Sequence, residues 1–170
     1  MDPRIEKIVQ TLQDKFGAAS EEFHGEVHVF VQPHSIIAAL MLLRDQEGFE
    51  LLSGQTAVDY WPQVAPRFHV IYQLTSISNK LWLQLRVPLD GNHPRVPTAT
   101  GVYDAANWRE RELMDMFGIQ VEGHPDPRRL LMPDGTEGHP LRRDFPLGYE
   151  EPQFTFNVEE IDLRKPYAKE

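Results

Sequence analysis

Two Gly-His-Pro triplets, each followed closely by an arginine pair, place the tightest constraint on this chain: Gly123-His124-Pro125-Asp126-Pro127-Arg128-Arg129 and Gly138-His139-Pro140-Leu141-Arg142-Arg143. Proline fixes its own φ, removes a backbone donor and drives the preceding residue toward extended geometry, while a glycine takes conformations closed to other residues. Both histidines therefore sit in stiff, extended backbone, and the segment cannot be helical. A loop this long in a compact chain is as a rule functional, partner-bound or disordered, and its composition argues against disorder.

The charges of that stretch narrow the choice. Arg128, Arg129, Arg142 and Arg143 are opposed by Asp126, Asp134, Glu137 and Asp144, so the local charge cancels. A surface that tracks phosphates would carry an excess of positive charge. The segment uses arginine and no lysine, which favours planar forks pairing with carboxylates in fixed geometry.

At 170 residues the chain suits one domain with a real core plus an appendage. Its formal net charge of −9 makes nucleic acid or an anionic membrane a poor partner. No apolar run is long enough to span a bilayer, and Met1-Asp2-Pro3-Arg4 opens no signal-peptide hydrophobic region, so the chain is expected to stay in the compartment where it is made. With no cysteine, the chain lacks the thiolates that disulfides, zinc–thiolate sites and a self-contained iron–sulfur cluster require. Among the seven histidines only His24 and His28 are closely spaced, and across the start of a strand they lie too far apart to share one ion.

Periodicity predicts the elements. Asp2 caps a helix with Pro3 in its first turn, Ile5, Ile8, Val9, Leu12 and Phe16 on one face, and Gly17 at its end. Val27, Val29 and Val31 alternate with polar or aromatic neighbours as a half-buried strand. Ser35 to Glu47 reads as a largely buried helix, apolar on all sides and stopped by Gly48. Phe49 to Tyr60 supplies a strand irregular around Ser53-Gly54, followed by a hairpin of Phe68, Val70, Tyr72 and Leu74 against Leu81, Leu83, Leu85 and Val87. Pro88 to Pro97 reads as a linker and Val102 to Phe117 as a third helix. The resulting fold class is α+β, a two-layer αβαβββα domain with a mostly antiparallel sheet and its helices on one face. One domain is expected over 1–147, with a long loop within it, and an extended C-terminal tail over 148–170. That tail carries Phe154, Phe156 and Tyr167 among acidic residues, without helical or strand period.

On the third helix, Glu110 falls inside the apolar arc of Ala106, Leu113 and Phe117. A carboxylate there is costly to bury unless paired, and the expected partner is one of Arg128, Arg129, Arg142 or Arg143. Arg111 and Asp115, spaced i,i+4, are expected to pair on the exposed face. Glu110 and Glu112 diverge around the helix and do not oppose one another as a glycosidase pair would. Neither a nucleophile elbow nor a phosphate loop or dinucleotide fingerprint occurs in the sequence. His124 and His139 can be read as acid–base groups or as structural ties between loop and helix.

The run Glu110-Arg111-Glu112-Leu113-Met114-Asp115-Met116-Phe117-Gly118-Ile119-Gln120-Val121-Glu122-Gly123-His124-Pro125-Asp126-Pro127-Arg128-Arg129-Leu130-Leu131, continued by Gly138-His139-Pro140-Leu141-Arg142-Arg143-Asp144-Phe145-Pro146-Leu147, resembles the signature of the thirty-kilodalton subunit family, the C subunit, of proton-pumping NADH-quinone oxidoreductase, respiratory complex I. Pro94-Arg95-Val96-Pro97 and Ala105-Ala106-Asn107-Trp108 resemble it too. Pro127 departs from the pattern, which usually has an aliphatic residue there.

The resemblance implies a hydrophilic peripheral-arm subunit on the cytoplasmic side of the plasma membrane. It would have no membrane span and no small-molecule substrate of its own, and would pack against the D subunit near the quinone module. It implies no flavin, iron–sulfur cluster or quinone on this chain, those groups belonging to partner subunits, and a structural or partner-contact role for the motif. Two alternatives stay open. One is the homologous subunit of a membrane-bound hydrogenase or of a ferredoxin- or F420-dependent oxidoreductase; the other is a stand-alone histidine-dependent enzyme.

Overall fold

The computed structural model describes residues 2–146 and Leu163. The tail proposed over 148–170 lies, apart from Leu163, outside the described residues. Helix α1, Pro3–Phe16, is capped as its sequence dictates: Asp2 accepts from the Arg4 amide at 2.8 Å, and Gly17 ends the helix at φ 62°. Strands β1, Ala19–Phe23, and β2, Glu26–Phe30, form a hairpin through His24 and Gly25, both at positive φ. Strand β1 was not expected, because all five of its residues are exposed and its sequence has no alternation to betray it. His24 therefore occupies the turn, while His28 lies within β2.

Helix α2, Ile36–Asp45, buries Ile36, Ala39, Leu40, Leu42 and Leu43. Ala38 and Met41 face outward, so the helix is amphipathic rather than apolar on all sides. Strand β3, Leu51–Asp59, carries the irregularity expected at Ser53-Gly54 as a register shift between Leu52 and Gly54. It pairs with β4, Phe68–Ser76, which pairs in unbroken register with β5, Leu81–Leu89.

The five-stranded sheet has the order β1-β2-β5-β4-β3, antiparallel except where β2 runs parallel to β5. Along β4 and β5 every second residue is buried, from Phe68 to Ser76 and from Leu81 to Leu89. These side chains join Ile8, Val9 and Leu12 of α1 and the buried face of α2 in one core, leaving the alternate residues on the outer face of the sheet. Both layers of the expected fold are thus present.

The supposed linker contributes the end of β5 and strand β6, Arg95–Pro97, which pairs in parallel with β7, Gln120–Glu122. The third helix, α3, starts at Ala106 rather than Val102, because Ala99–Tyr103 is occupied by a turn in which Val102 and Tyr103 both donate to the Ala99 carbonyl. After Glu112 the helix widens into a π-turn over Leu113–Phe117, closed by Gly118 at φ 68°. One residue added to a turn rotates the positions after it away from a continuous α-helical wheel: Leu113 and Phe117 are buried as the wheel places them, but Asp115, expected outside, is buried too.

Candidate functional site

The widened turn sends Asp115 inward. Its Oδ2 accepts from three consecutive backbone amides, Leu130, Leu131 and Met132, at 3.0, 2.7 and 3.0 Å, and its Oδ1 accepts from Arg129 Nη1 at 3.0 Å. Asp115 and Arg111 are both buried and do not pair with each other, contrary to the expectation of an exposed pair. Arg111 donates to the carbonyls of Arg128 and Arg129 at 3.1 and 2.9 Å, stacks on Trp108, and lies 3.5 Å from Asp126. Burial alone would raise the Asp115 carboxyl, but the three amides and the Arg129 guanidinium outweigh it and hold the group below the usual carboxylate range.

Both Gly-His-Pro triplets are ties to α3. The Asp126 amide donates to His124 Nδ1 at 3.0 Å, which leaves Nε2 to carry the proton and donate to the Asn107 carbonyl at 3.1 Å. His139 Nδ1 meets the Asp115 carbonyl at 2.9 Å, and the Leu141 amide donates to Met116 O. Arg142 donates to the carbonyls of Phe117 and Gly118 at 2.6 and 3.4 Å. Gly118 is required here: a Cβ would strike the His139 ring and the Arg142 guanidinium, and φ is positive. Gly138, at φ 81°, has the Phe145 ring where a Cβ would go, and Gly123 is at φ 78°. Of the four arginines, only Arg128 makes the expected two-pronged carboxylate pair among the described residues, with Asp126, and it does so in solvent. Pro125 and Pro140 lie between the pinned atoms of each triplet, and Glu112 is half-buried on α3.

A second anchor holds the far end of the loop. Arg67 donates to both oxygens of Asp59 at 2.9 Å and to Asp144 at 2.7 Å, and the Arg143 amide donates to Asp59 Oδ2 at 2.9 Å. Against burial, which would raise it, Arg67 and the amides of Arg143 and Trp61 keep the Asp59 carboxyl low. Asp59 and Arg67 were not singled out from sequence. The available signal was an acid at the core-facing end of β3, masked by the break in alternation at Gly54.

Glu110 is fully buried, at 0 % exposure, as its place in the apolar arc implies. Its partner is not an arginine. Oε1 accepts from the Ala99 amide at 2.7 Å and from Gln55 Nε2 at 3.4 Å, and Oε2 accepts from Thr98 Oγ1 at 2.6 Å. Glu110 faces β3, the Thr98–Thr100 turn and, 3.9 Å from its Oε2, the Nε2 of His124, whereas Arg128 and Arg129 present their carbonyls to Arg111 and Arg142 reaches the carbonyls that end the π-turn.

The arrangement is a two-layer α+β domain whose charged signature fastens a long proline-rich loop along its own third helix and sheet edge. The profile of the family described as respiratory-chain NADH dehydrogenase, 30 Kd subunit, matches residues 29–151, and the chain belongs to that family. It is 44% identical over 168 residues to the C subunit of NADH-quinone oxidoreductase from Roseiflexus sp. (strain RS-1), covering 98% of this chain and 95% of that one. It is 43% identical over 144 residues to the same subunit of Trichlorobacter lovleyi, covering 83% and 89% of the two chains. Among solved structures, Nqo5 in its trypsin-resistant fragment (1-134) superposes with a TM-score of 0.64 at 32% identity, covering 72% of this chain and 98% of that one. A chain of an archaeal membrane-bound sulfane sulfur reductase, 23% identical with a TM-score of 0.72 over 84% and 85% of the two chains, shares the fold.

Proposed function

We propose that this chain is a cofactor-free structural subunit of the peripheral arm of an NADH-quinone oxidoreductase, on the cytoplasmic side of the membrane, bracing the D subunit near the quinone module. The enzyme's electron transfer then runs through partner subunits, and this chain supplies stiffness and position. The observation that carries the reading is the 44% identity to an NADH-quinone oxidoreductase C subunit over 98% of the chain. The geometry agrees with it: His124 Nε2 and His139 Nδ1 tie the loop to Asn107 and Asp115, and His124 Nδ1 accepts from the Asp126 amide, which supports a structural role for both histidines over that of a free base.

The experiment is affinity purification of the chain, tagged at its N-terminus and expressed from its own locus. The D subunit is expected to co-elute together with NADH-quinone oxidoreductase activity, and removing residues 150–170 is expected to weaken that co-elution while leaving the unfolding of the domain unchanged. A wild-type chain that elutes alone, or that carries a stoichiometric flavin or cluster absorption band of its own, overturns the proposal.

A further inference from the structure

The outer face of the sheet, on which no helix packs among the described residues, has an arginine at its centre. In the register of the strands Arg86 of β5 lies between Phe30 of β2 and Ile71 of β4. The next pair along β4 and β5 is His69 with Pro88, and Tyr60 packs its ring 4.8 Å from that of His69. All of these residues are half-buried.

The guanidinium is held but not neutralised. Its Nε donates to Gln84 Oε1 at 2.7 Å, and its Nη1 to the Tyr60 hydroxyl at 3.4 Å. Gln84 is itself oriented by Gln73 at 3.3 Å. Among the described residues Nη2 makes no hydrogen bond, and no carboxylate lies within ion-pair distance of Arg86. Glu21 and Glu26 sit at the β1–β2 edge, where Glu21 pairs in register with His28.

This combination limits what can cover the face. An apolar surface laid over Phe30, Ile71 and Pro88 would strand a buried, unpaired charge, which is strongly unfavourable. A surface that brings a carboxylate between apolar side chains gains a charge-assisted pair to a fork already fixed in place. Arginine and tyrosine ringed by apolar residues are also the composition of an interface hot spot.

We infer that the outer sheet face around Arg86 is a docking surface for a neighbouring subunit of the complex, which presents an acidic side chain flanked by apolar ones. This rests on the assembly proposed above. It concerns a surface separate from the Gly-His-Pro loop.

The test uses the tagged chain in its native complex. Arg86→Glu is expected to lower recovery of partner subunits roughly tenfold or more; Met41→Glu, on the opposite layer, should retain wild-type recovery. A photo-cross-linking residue in place of the exposed Thr56, at the margin of the same face, guards against misfolding of the charge reversal and is expected to join the chain to another polypeptide. Undiminished recovery with Arg86→Glu overturns the inference and leaves the subunit reading intact. So does a Thr56 cross-link confined to residues 147–170 of the same chain or to a second copy, or no cross-link in an assembled complex. A wild-type chain that recovers no partner overturns both.

Discussion

Replacing Glu110 by alanine tests whether hydrogen-bond donors, in place of a counter-charge, hold a fully buried carboxylate. The truncation strands the Ala99 amide, whose acceptor at 2.7 Å disappears in a site with no exposure. An orphaned buried donor costs about 1–3 kcal/mol. Gln55 Nε2 loses its acceptor as well, and the missing methylene and carboxyl leave a void that adds about 1–2 kcal/mol. Thr98 Oγ1 suffers less, because it also lies 2.9 Å from Thr100 Oγ1. The total is about 3–5 kcal/mol, which lowers the melting temperature of a domain this size by about 10 °C. Glu112→Ala, at a half-buried position whose side chain makes no hydrogen bond among the described residues, is the matched control, expected within about 0.5 kcal/mol of wild type. Calorimetry or urea denaturation of the two variants decides the matter. Equal, small shifts would refute the network, and loss in Glu110→Ala fully restored by 1 M salt would mean that screened charge, rather than donor geometry, governs the site.

Two further outcomes follow from the pinned loop. Gly118→Ala should destabilise by more than the about 1 kcal/mol of an ordinary positive-φ substitution, because the new methyl meets both His139 and Arg142; faster proteolysis within 124–143 would report the loop's release, and an unchanged digestion pattern would refute the close contact. Asp59 and Asp115 both titrate below their unfolded values in the native state, so the native protein binds fewer protons than the unfolded chain. Their stabilisation is therefore complete above about pH 5 and lost as pH falls through the native values. The stability gap between wild type and Asp115→Asn should narrow as pH falls below about 5, and a gap that stays constant there would show that the carboxylate is not held low.

Much of this fold was legible because burial and alternation coincide. The hairpin of β4 and β5 shows in the alternate residues from Phe68 to Leu74 and from Leu81 to Val87, all of which are buried. Helix α1 shows equally well in its cap, stripe and glycine stop. What could not be read lacked such a signal. Strand β1 exposes every side chain, so nothing in Ala-Ser-Glu-Glu-Phe marks it as paired. The site was legible as a set of residues and illegible as a set of partners. Glu110 announced its burial through the helical period, whereas its acceptance of bonds from Ala99 and Thr98 depends on a turn whose geometry the sequence does not spell out. Asp115 is buried against expectation because a π-turn has no composition of its own, and Arg111, which precedes that turn, because the loop carbonyls of Arg128 and Arg129 fold over it.

The grip of Asp115 on three successive amides has a consequence for how related sequences can differ. The carboxylate holds main chain, so the identities of Leu130, Leu131 and Met132 are free to drift as far as this contact is concerned. Proline is the exception at all three, since it has no N–H to give. An insertion or deletion between Arg129 and Met132 would slide the amides out of reach even where every side chain was kept. Prolines at 125, 127 and 133 flank the gripped triplet without entering it, which accounts for Pro127 as a departure that the structure accommodates. Variation in this loop should therefore be read by spacing from Asp115 first and by residue type second.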